Sequence, residues 1–172
     1  LLAVDYSQIE LRLMAHYSKD PIMLDSFRNN EDIHKRTASE IFGVEISDVD
    51  NQMRRRAKTI NFGLLYGMSS FGLSNQLEVS RSEADIFLNN YFERYAAVKK
   101  FMTNIVEQAK KDKFVKTLYN RKIHVPNIEA SNYMMRQGSE RAAINGPLQG
   151  SAADIIKIAM INIQNWINKS KS

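Results

Sequence analysis

Residues 54–67 read Arg-Arg-Arg-Ala-Lys-Thr-Ile-Asn-Phe-Gly-Leu-Leu-Tyr-Gly and carry the strongest pattern in the chain. The surrounding residues predict a long helix over 51–66, with a polar residue at its start and a glycine directly after its end. A helix turns by about 100° per residue, so residues four apart are offset by only about 40° and share one stripe. Four side chains have this spacing: Arg54, Lys58, Phe62 and Tyr66.

This stripe has two cations at one end and two aromatic rings at the other. Cations suit the phosphates of a nucleoside triphosphate, and an aromatic ring suits its base. The pattern is equally typical of a solvated basic turn followed by two aromatic residues in the core. From the residues alone, both interpretations stay open.

A second informative run, residues 5–12, reads Asp-Tyr-Ser-Gln-Ile-Glu-Leu-Arg and follows the apolar opening 1–4. This pattern predicts a strand through Tyr6 and a helix directly behind it. Asp5 would then be rigidly held at the end of a strand. Magnesium prefers hard oxygen ligands, so Asp5 and a neighbouring backbone carbonyl form a plausible half-site. The alternative is that Asp5 only caps the helix.

Further elements follow from caps and periodicity. Ser80 and Glu83 form a capping-box pattern at the start of a helical stretch that reaches about residue 112. Pro147 suits the first turn of a helix and is expected to interrupt any helix that runs through it. The remaining predicted elements are a helix over 32–42 closed by Gly43, a hairpin over 114–126, and helices over 131–145 and 147–166. The predicted fold class is α+β and mostly helical, in one unit without internal repeats.

Composition narrows the function classes. The chain has 172 residues, of which 44% are hydrophobic and 25% charged, as in a globular protein. Its lack of cysteine excludes disulfide scaffolds and thiolate sites. No apolar run is long enough for a membrane span, and none resembles a signal peptide.

Charge is unevenly divided along the chain. Residues 1–50 hold five basic and ten acidic groups, and residues 51–172 hold nineteen and nine, so the net charges are −5 and +10. The basic part would attract nucleic acid or polyphosphate, and the acidic part would leave carboxylates for a divalent cation. A merely solvated surface with uneven charge is the alternative.

Together the two runs resemble motifs A and B of the family A DNA polymerases, the bacterial DNA polymerase I type. A third stretch is similar to the segment before that family's second catalytic carboxylate: Arg141 to Asn145, Pro147, Gln149, Gly150 and Ala152 to Asp154. The resemblance covers essentially the whole chain. It implies the fingers and part of the palm of a right-hand fold, with 1–20 in the palm, 21–125 mainly fingers, and 126–172 returning to the palm.

The resemblance also implies site residues. Asp5 and Lys58 would be catalytic, with Lys58 donating a proton to pyrophosphate, and Asp5 and the Tyr6 carbonyl would hold two Mg²⁺ ions. The nucleotide-binding residues would be Gln8, Glu10, His34, Arg54, Lys58, Phe62 and Tyr66. The DNA-binding residues would be Arg121 and Lys122, which contact phosphates, and Arg141, Asn145 and Gln149, which face the minor groove.

Two of these residues have alternative roles. Glu10 would lie under the sugar and exclude a ribose 2′-hydroxyl, or it is an exposed helical carboxylate paired with an arginine. His34 alone would more often be a surface or structural histidine. Phe62 is, within the resembled family, the residue type that discriminates against dideoxynucleotides.

The implied function is template-directed DNA synthesis in replication or repair, with primer-template DNA and deoxynucleoside triphosphates as partners. We expect a monomer without membrane attachment, in the cytoplasm by default, although a phage or organelle source is compatible. The family's final His-Asp-Glu motif is not found, so we expect the 172 residues alone to be inactive. Two alternatives are a non-catalytic nucleic-acid binding module and a single-subunit RNA polymerase.

Overall fold

The computed structural model describes residues 3–170, which form eight α-helices, one 3-10 turn and one two-stranded sheet. The mostly helical α+β class predicted from the sequence is therefore confirmed. In chain order the helices are α1 (Ile9–Ser18), α2 (Pro21–Arg28), α3 (Ile33–Phe42), α4 (Asn51–Leu65), α5 (Ser70–Leu77), α6 (Arg81–Arg94), α7 (Ala96–Asp112) and α8 (Tyr133–Ser170). The 3-10 turn is Ile46–Asp48, and the strands are β1 (Phe114–Lys116) and β2 (Lys122–His124).

Side-chain caps set where the helices begin. The Asp50 carboxylate accepts from the Met53 amide at 2.7 Å and caps α4, which begins at Asn51 as predicted. Ser80 and Glu83 form the predicted capping box of α6. Each cap satisfies amides that have no partner inside the helix, which stabilises a helix end by about 1 kcal/mol.

The main core contains buried residues from all eight helices. Ile33 of α3 and Ile60 of α4 are fully buried where these two helices pack together. The rings of Tyr91 and Tyr95 are also buried, with centroids 4.6 Å apart. Because α4 is anchored on this core, its opposite side can present polar and aromatic residues to solvent.

The two strands form an antiparallel hairpin whose register pairs Val115 with Ile123. These two side chains face α8, where Gly146 and Gly150 allow close approach. A Cβ atom at Gly150 would lie only 2.6 Å from the Thr117 methyl. The hairpin is therefore seated on the middle of α8, and the predicted hairpin is confirmed.

The strand predicted through Tyr6 is not formed by residues 3–6, which have no regular secondary structure. A strand needs a neighbour with which to exchange backbone hydrogen bonds. Within residues 3–170, the two strands pair only with each other. The predicted residues Leu1 and Leu2 lie outside the described part of the chain.

Two helix boundaries also differ from the prediction. The stretch from Ser80 to about residue 112 is divided at Tyr95, whose φ of −102° and ψ of 56° are not helical. The interruption predicted at Pro147 is wrong, because the 38-residue helix α8 continues through it. A proline removes one backbone donor, while Ala143 and Leu148 on either side stay buried and hold both halves in place.

Over residues 3–170, none of the helices is long and apolar enough to cross a membrane.

Candidate functional site

The exposed side of α4 forms a groove with the turn that follows it. Lys58, Phe62 and Tyr66 all line this groove, together with Gly63 and Met68, around a volume of about 430 Å³. The Phe62 and Tyr66 rings are stacked, with centroids 6.5 Å apart and planes at 20°. The groove therefore places the predicted Lys58, and also Arg55, beside a flat aromatic surface.

Arg54, the first member of the stripe, turns toward the start of α3 instead. Its Nε donates to Asp32 Oδ2 at 2.7 Å. Asp32 Oδ1 accepts from the backbone amides of His34 and Lys35 at the start of α3. Burial raises the pKa of Asp32, but the Arg54 hydrogen bond and these two amides together hold it below its usual range. Arg54 is thus fixed by an ionised carboxylate, and within residues 3–170 its two terminal nitrogens have no hydrogen-bond partner.

His34 lies between this ion pair and the groove. It is 2% exposed, and its ring centroid is 5.8 Å from that of Phe62. Burial lowers the pKa of His34 to about 4; the nearby Asp32 opposes this shift, while Arg54 and Lys58 add to it. The imidazole is therefore neutral at physiological pH. A neutral imidazole can still donate one hydrogen bond to an anion.

The run of residues 5–12 meets the groove at Glu10. The Tyr66 hydroxyl donates to Glu10 Oε2 at 2.8 Å, which joins the end of α4 to the start of α1 across 56 residues of sequence. Burial and this carboxylate both raise the pKa of Tyr66, so the phenol stays protonated and donates. Gln8 precedes α1 in a left-handed conformation, with φ 57°. The alternative pairing of Glu10 with an arginine is not observed among the described residues.

Asp5 and Tyr6 lie in a different groove, between the N-terminal segment and the C-terminal half of α8. Its volume is about 500 Å³, and its α8 wall is largely apolar, with Met160, Ile163 and Gln164 among the lining residues. Asp5 is exposed and makes no ion pair with any residue described in the structure. Its carboxylate and the adjacent Tyr6 carbonyl fit one side of a hard-cation site. Residues 3–170 contain no cluster of three or more ligand side chains that would complete a site.

Arg121 and Lys122 lie on the hairpin but differ in their contacts. Arg121 donates through Nε to Asp154 and through Nη2 to the Gly150 carbonyl, each at 3.0 Å, which attaches the turn to α8. Lys122 is exposed, with its nitrogen 4.5 Å from the centre of the Phe114 ring. A phosphate-contacting role stays a prediction for both.

The sequence pattern gives no signal for Lys116. The hairpin register places it directly opposite Lys122, on the same outward face. Like charges in this arrangement are destabilising, and within residues 3–170 neither lysine has an acidic partner. The pair therefore forms a small basic surface beside α8. Only the register, which fixes cross-strand partners, could have revealed it.

Arg141, Asn145 and Gln149 lie along one face of the uninterrupted α8. Arg141 and Gln149 are exposed, and Asn145 is half-buried. The stem of Arg141 packs on Gly67, where a Cβ atom would be 2.6 Å from its Cγ. The φ of Gly67 is 66°, which also favours glycine. This contact joins the end of the α4 groove to the face of α8.

The chain is similar in sequence to the members of one protein family. A family model described as "DNA polymerase family A" matches residues 1–172. DNA polymerase I of Pseudomonas aeruginosa is 51% identical over 170 residues, which cover 99% of this chain and 19% of that protein. DNA polymerase I of Caldicellulosiruptor bescii is 50% identical over 170 residues, which cover 99% of this chain and 20% of that protein. The chain thus spans about a fifth of the length of these curated relatives.

One similar solved structure is the "POL domain of Pol1 from M. smegmatis complex with DNA primer-template and dNTP". It matches with a TM-score of 0.92 at 44% identity, over 96% of this chain and 29% of that chain.

Proposed function

Because the family model matches its whole length, this chain belongs to DNA polymerase family A, and we propose that it forms part of an enzyme that copies a DNA template. In this reaction the primer 3′-hydroxyl attacks the α-phosphorus of a deoxynucleoside triphosphate. A new P–O bond forms, and pyrophosphate leaves. The observation that carries the proposal is the hydrogen bond between Tyr66 and Glu10, which joins the groove of α4 to the run that contains Asp5.

The triphosphate would bind at the end of the α4 groove where Lys58 lies. Lys58 supplies a point charge, and Arg54 supplies the two nitrogens that Asp32 leaves open. His34 supplies one neutral donor beside them. Lys58 also protonates the leaving pyrophosphate in this proposal, and the low pKa of His34 makes the histidine a poor candidate for that acid.

The sugar and base would lie at the other end of the groove, beside the two aromatic rings. Phe62 offers a flat, half-buried ring to the incoming nucleotide. Glu10 is held by the Tyr66 hydroxyl and would fill the space that a ribose 2′-hydroxyl requires. Gln8 would contact the nucleotide from the start of α1. Selection of deoxyribose then depends on exclusion by a positioned carboxylate.

Two magnesium ions would be held by Asp5, the Tyr6 carbonyl and the substrate phosphates. When bound, such ions activate the attacking hydroxyl and neutralise the leaving pyrophosphate. Asp5 contributes a carboxylate that is exposed and not already paired within residues 3–170. Among those residues its groove contains no second carboxylate. We therefore expect the 172 residues alone not to extend a primer.

The nascent duplex would lie along α8. Arg141, Asn145 and Gln149 carry donors on one face, and minor-groove acceptors are placed almost equally in every correct base pair. Donors in this position test pair geometry without reading sequence. Arg121 and Lys122 would contact the backbone beside them.

Primer extension by the full-length protein that contains this chain tests the proposal. With magnesium and four deoxynucleotides, we expect extension that Asp5→Ala abolishes without weakening duplex binding. Asp25→Ala, which removes an exposed carboxylate of α2, is the matched control and should extend normally. Duplex binding without any extension by the unsubstituted protein would instead favour a non-catalytic nucleic-acid binding module.

A further inference from the structure

Behind the α4 groove, a buried hydrogen-bond network joins α3 to α4. Its members are Thr37 and His34 of α3, Asn61 of α4, and Tyr95, the residue that separates α6 from α7. Asn61 is 1% exposed and Thr37 is fully buried. Asn61 Nδ2 lies 3.1 Å from His34 Nδ1 and 3.1 Å from Thr37 Oγ1. No role for Asn61 follows from the sequence pattern.

The single hydroxyl proton of Thr37 determines the direction of these bonds. Thr37 Oγ1 lies 2.8 Å from the Ile33 carbonyl, 3.3 Å from Asn61 Oδ1 and 3.3 Å from the Tyr95 hydroxyl. A carbonyl only accepts, so the shortest contact takes the threonine proton. Thr37 must then accept from its other neighbours. Tyr95 can donate its hydroxyl proton, and Asn61 can donate from Nδ2.

Asn61 has two amide protons on Nδ2, and the network uses both. One points to Thr37 Oγ1 and the other to His34 Nδ1. If the amide were reversed, its oxygen would face Thr37 Oγ1 at 3.1 Å instead of 3.3 Å, so the oxygen–oxygen repulsion would be larger and the Nδ2 hydrogen bond to Thr37 longer. Nδ1 of His34 is therefore an acceptor. In a neutral imidazole the remaining proton is then on Nε2.

We propose that Asn61 is a positioning residue that keeps the proton of His34 on Nε2, so that this nitrogen donates to the triphosphate of the incoming nucleotide. This inference rests on the proposed function. Nε2 has no hydrogen-bond partner within residues 3–170. It is therefore the one ring nitrogen left for a ligand.

The charged groups around His34 are consistent with a neutral donor. Asp32 lies at the start of its own helix, and Arg54 and Lys58 approach from α4. Burial and the two cations outweigh Asp32, and the pKa of His34 is about 4. Between pH 6 and 8 the ring therefore does not titrate.

Nitrogen NMR of the 172-residue chain tests the tautomer without any enzymatic activity. The chain has only three histidines, and His16 and His124 are exposed internal references. We expect a proton on Nε2 and none on Nδ1 of His34 between pH 6 and 8. Asn61→Asp should move the proton to Nδ1, because the introduced carboxylate can only accept. A proton on Nδ1 in the unsubstituted chain would overturn the inference.

Kinetics of the full-length protein supply the functional test. In Asn61→Asp, the unprotonated Nε2 would face the triphosphate at pH 8, so KM for deoxynucleotides should rise about tenfold. The introduced carboxylate also favours a doubly protonated ring, so KM should fall back toward the unsubstituted value as the pH approaches 6. The unsubstituted protein should show no such recovery, and a merely structural defect would not be reversed by acid.

Asn90→Asp is the matched control. Asn90 is a half-buried asparagine of α6 that donates to the Ile41 carbonyl, away from His34. Its substitution adds the same charge and should leave KM independent of pH. A KM for Asn61→Asp that is unchanged, or raised equally at pH 6 and pH 8, would refute the role of Asn61. Absence of extension by the unsubstituted protein would refute the proposed function instead, while the NMR result would stand.

Discussion

Replacing glycine by alanine should have opposite effects on stability at two positions of α8, because the space around them differs. At Gly138 an added Cβ atom would meet nothing within 4 Å. At Gly150 it would lie 2.6 Å from Thr117 Cγ2, 2.9 Å from Ile123 Cδ1 and 3.2 Å from Arg121 Nη2. Replacing a helical glycine by alanine stabilises by about 0.5–1 kcal/mol where space allows. Overpacking costs about 1–3 kcal/mol.

We therefore expect Gly138→Ala to raise the free energy of unfolding by about 0.5–1 kcal/mol and Gly150→Ala to lower it by about 1–2 kcal/mol. For a chain of this length, these changes correspond to about 1–4 °C upward and about 2–8 °C downward in Tm. Far-UV circular dichroism of the 172-residue chain in urea and on heating measures both. Both variants gain the same helix propensity. The difference between their free energies of unfolding therefore measures the cost of the clash alone.

Thr117→Ser tests whether Thr117 Cγ2 is the atom that clashes with a Cβ atom at position 150. It removes Cγ2 but keeps the hydroxyl that accepts from the Tyr119 and Arg121 amides at 3.3 Å. Combined with Gly150→Ala, it should restore at least half of the lost stability. If Gly150→Ala proves as stable as Gly138→Ala, the hairpin is not seated closely on α8 and the reasoning is refuted.

Two further predictions concern the full-length protein. Glu10→Ala should increase ribonucleotide incorporation about tenfold or more, because the space for a 2′-hydroxyl opens; unchanged exclusion in a primer-extension assay would contradict this role. Lys116→Ala and Lys122→Ala should each reduce the slope of log Kd for primer-template DNA against log salt by about 0.9, the loss of one phosphate contact. Lys100→Ala, an exposed lysine of α7, should not change that slope, and equal slopes for all three variants would exclude the hairpin surface as a contact.

Local sequence signals were sufficient to predict a helix where a capping residue and the helical periodicity agreed. The helix over 51–66 ended within one residue of its prediction, because a polar cap and Gly67 bracket it. Gly43, with φ 65°, closed α3 as predicted. The helices α2 and α5 were not predicted. Each has only eight residues, too few to show a clear period.

Long-range contacts explain the remaining errors. Pro147 is a strong local signal for a break, but buried neighbours on both sides keep α8 continuous. Tyr95 leaves the helical conformation inside an otherwise helical pattern, and its hydroxyl reaches Thr37, 58 residues earlier. A single sequence contains no trace of such a pairing. Local propensity is commonly overridden by tertiary packing of this kind.

In the candidate site, too, local signals predicted some features and long-range contacts determined the others. The stripe of cation and aromatic residues followed from helical spacing, and three of its four members line one groove. The fourth, Arg54, was turned aside by Asp32, which periodicity does not reveal. The sequence gives no signal for Asn61, because only its neighbour Phe62 belongs to the four-residue spacing. The importance of Asn61 comes from the proton of Thr37, 24 residues earlier.

Because α8 is unbroken, we expect it to tolerate few insertions or deletions of residues. From Arg141, which packs on Gly67, to Gln164, which lines the Asp5 groove, the helix rises about 35 Å at 1.5 Å per residue. One inserted or deleted residue between these points would rotate everything beyond it by about 100°. A loop absorbs such a change locally, but a continuous helix transmits it. Natural variation in the number of residues should therefore be confined to the connections around α8 and absent from its interior.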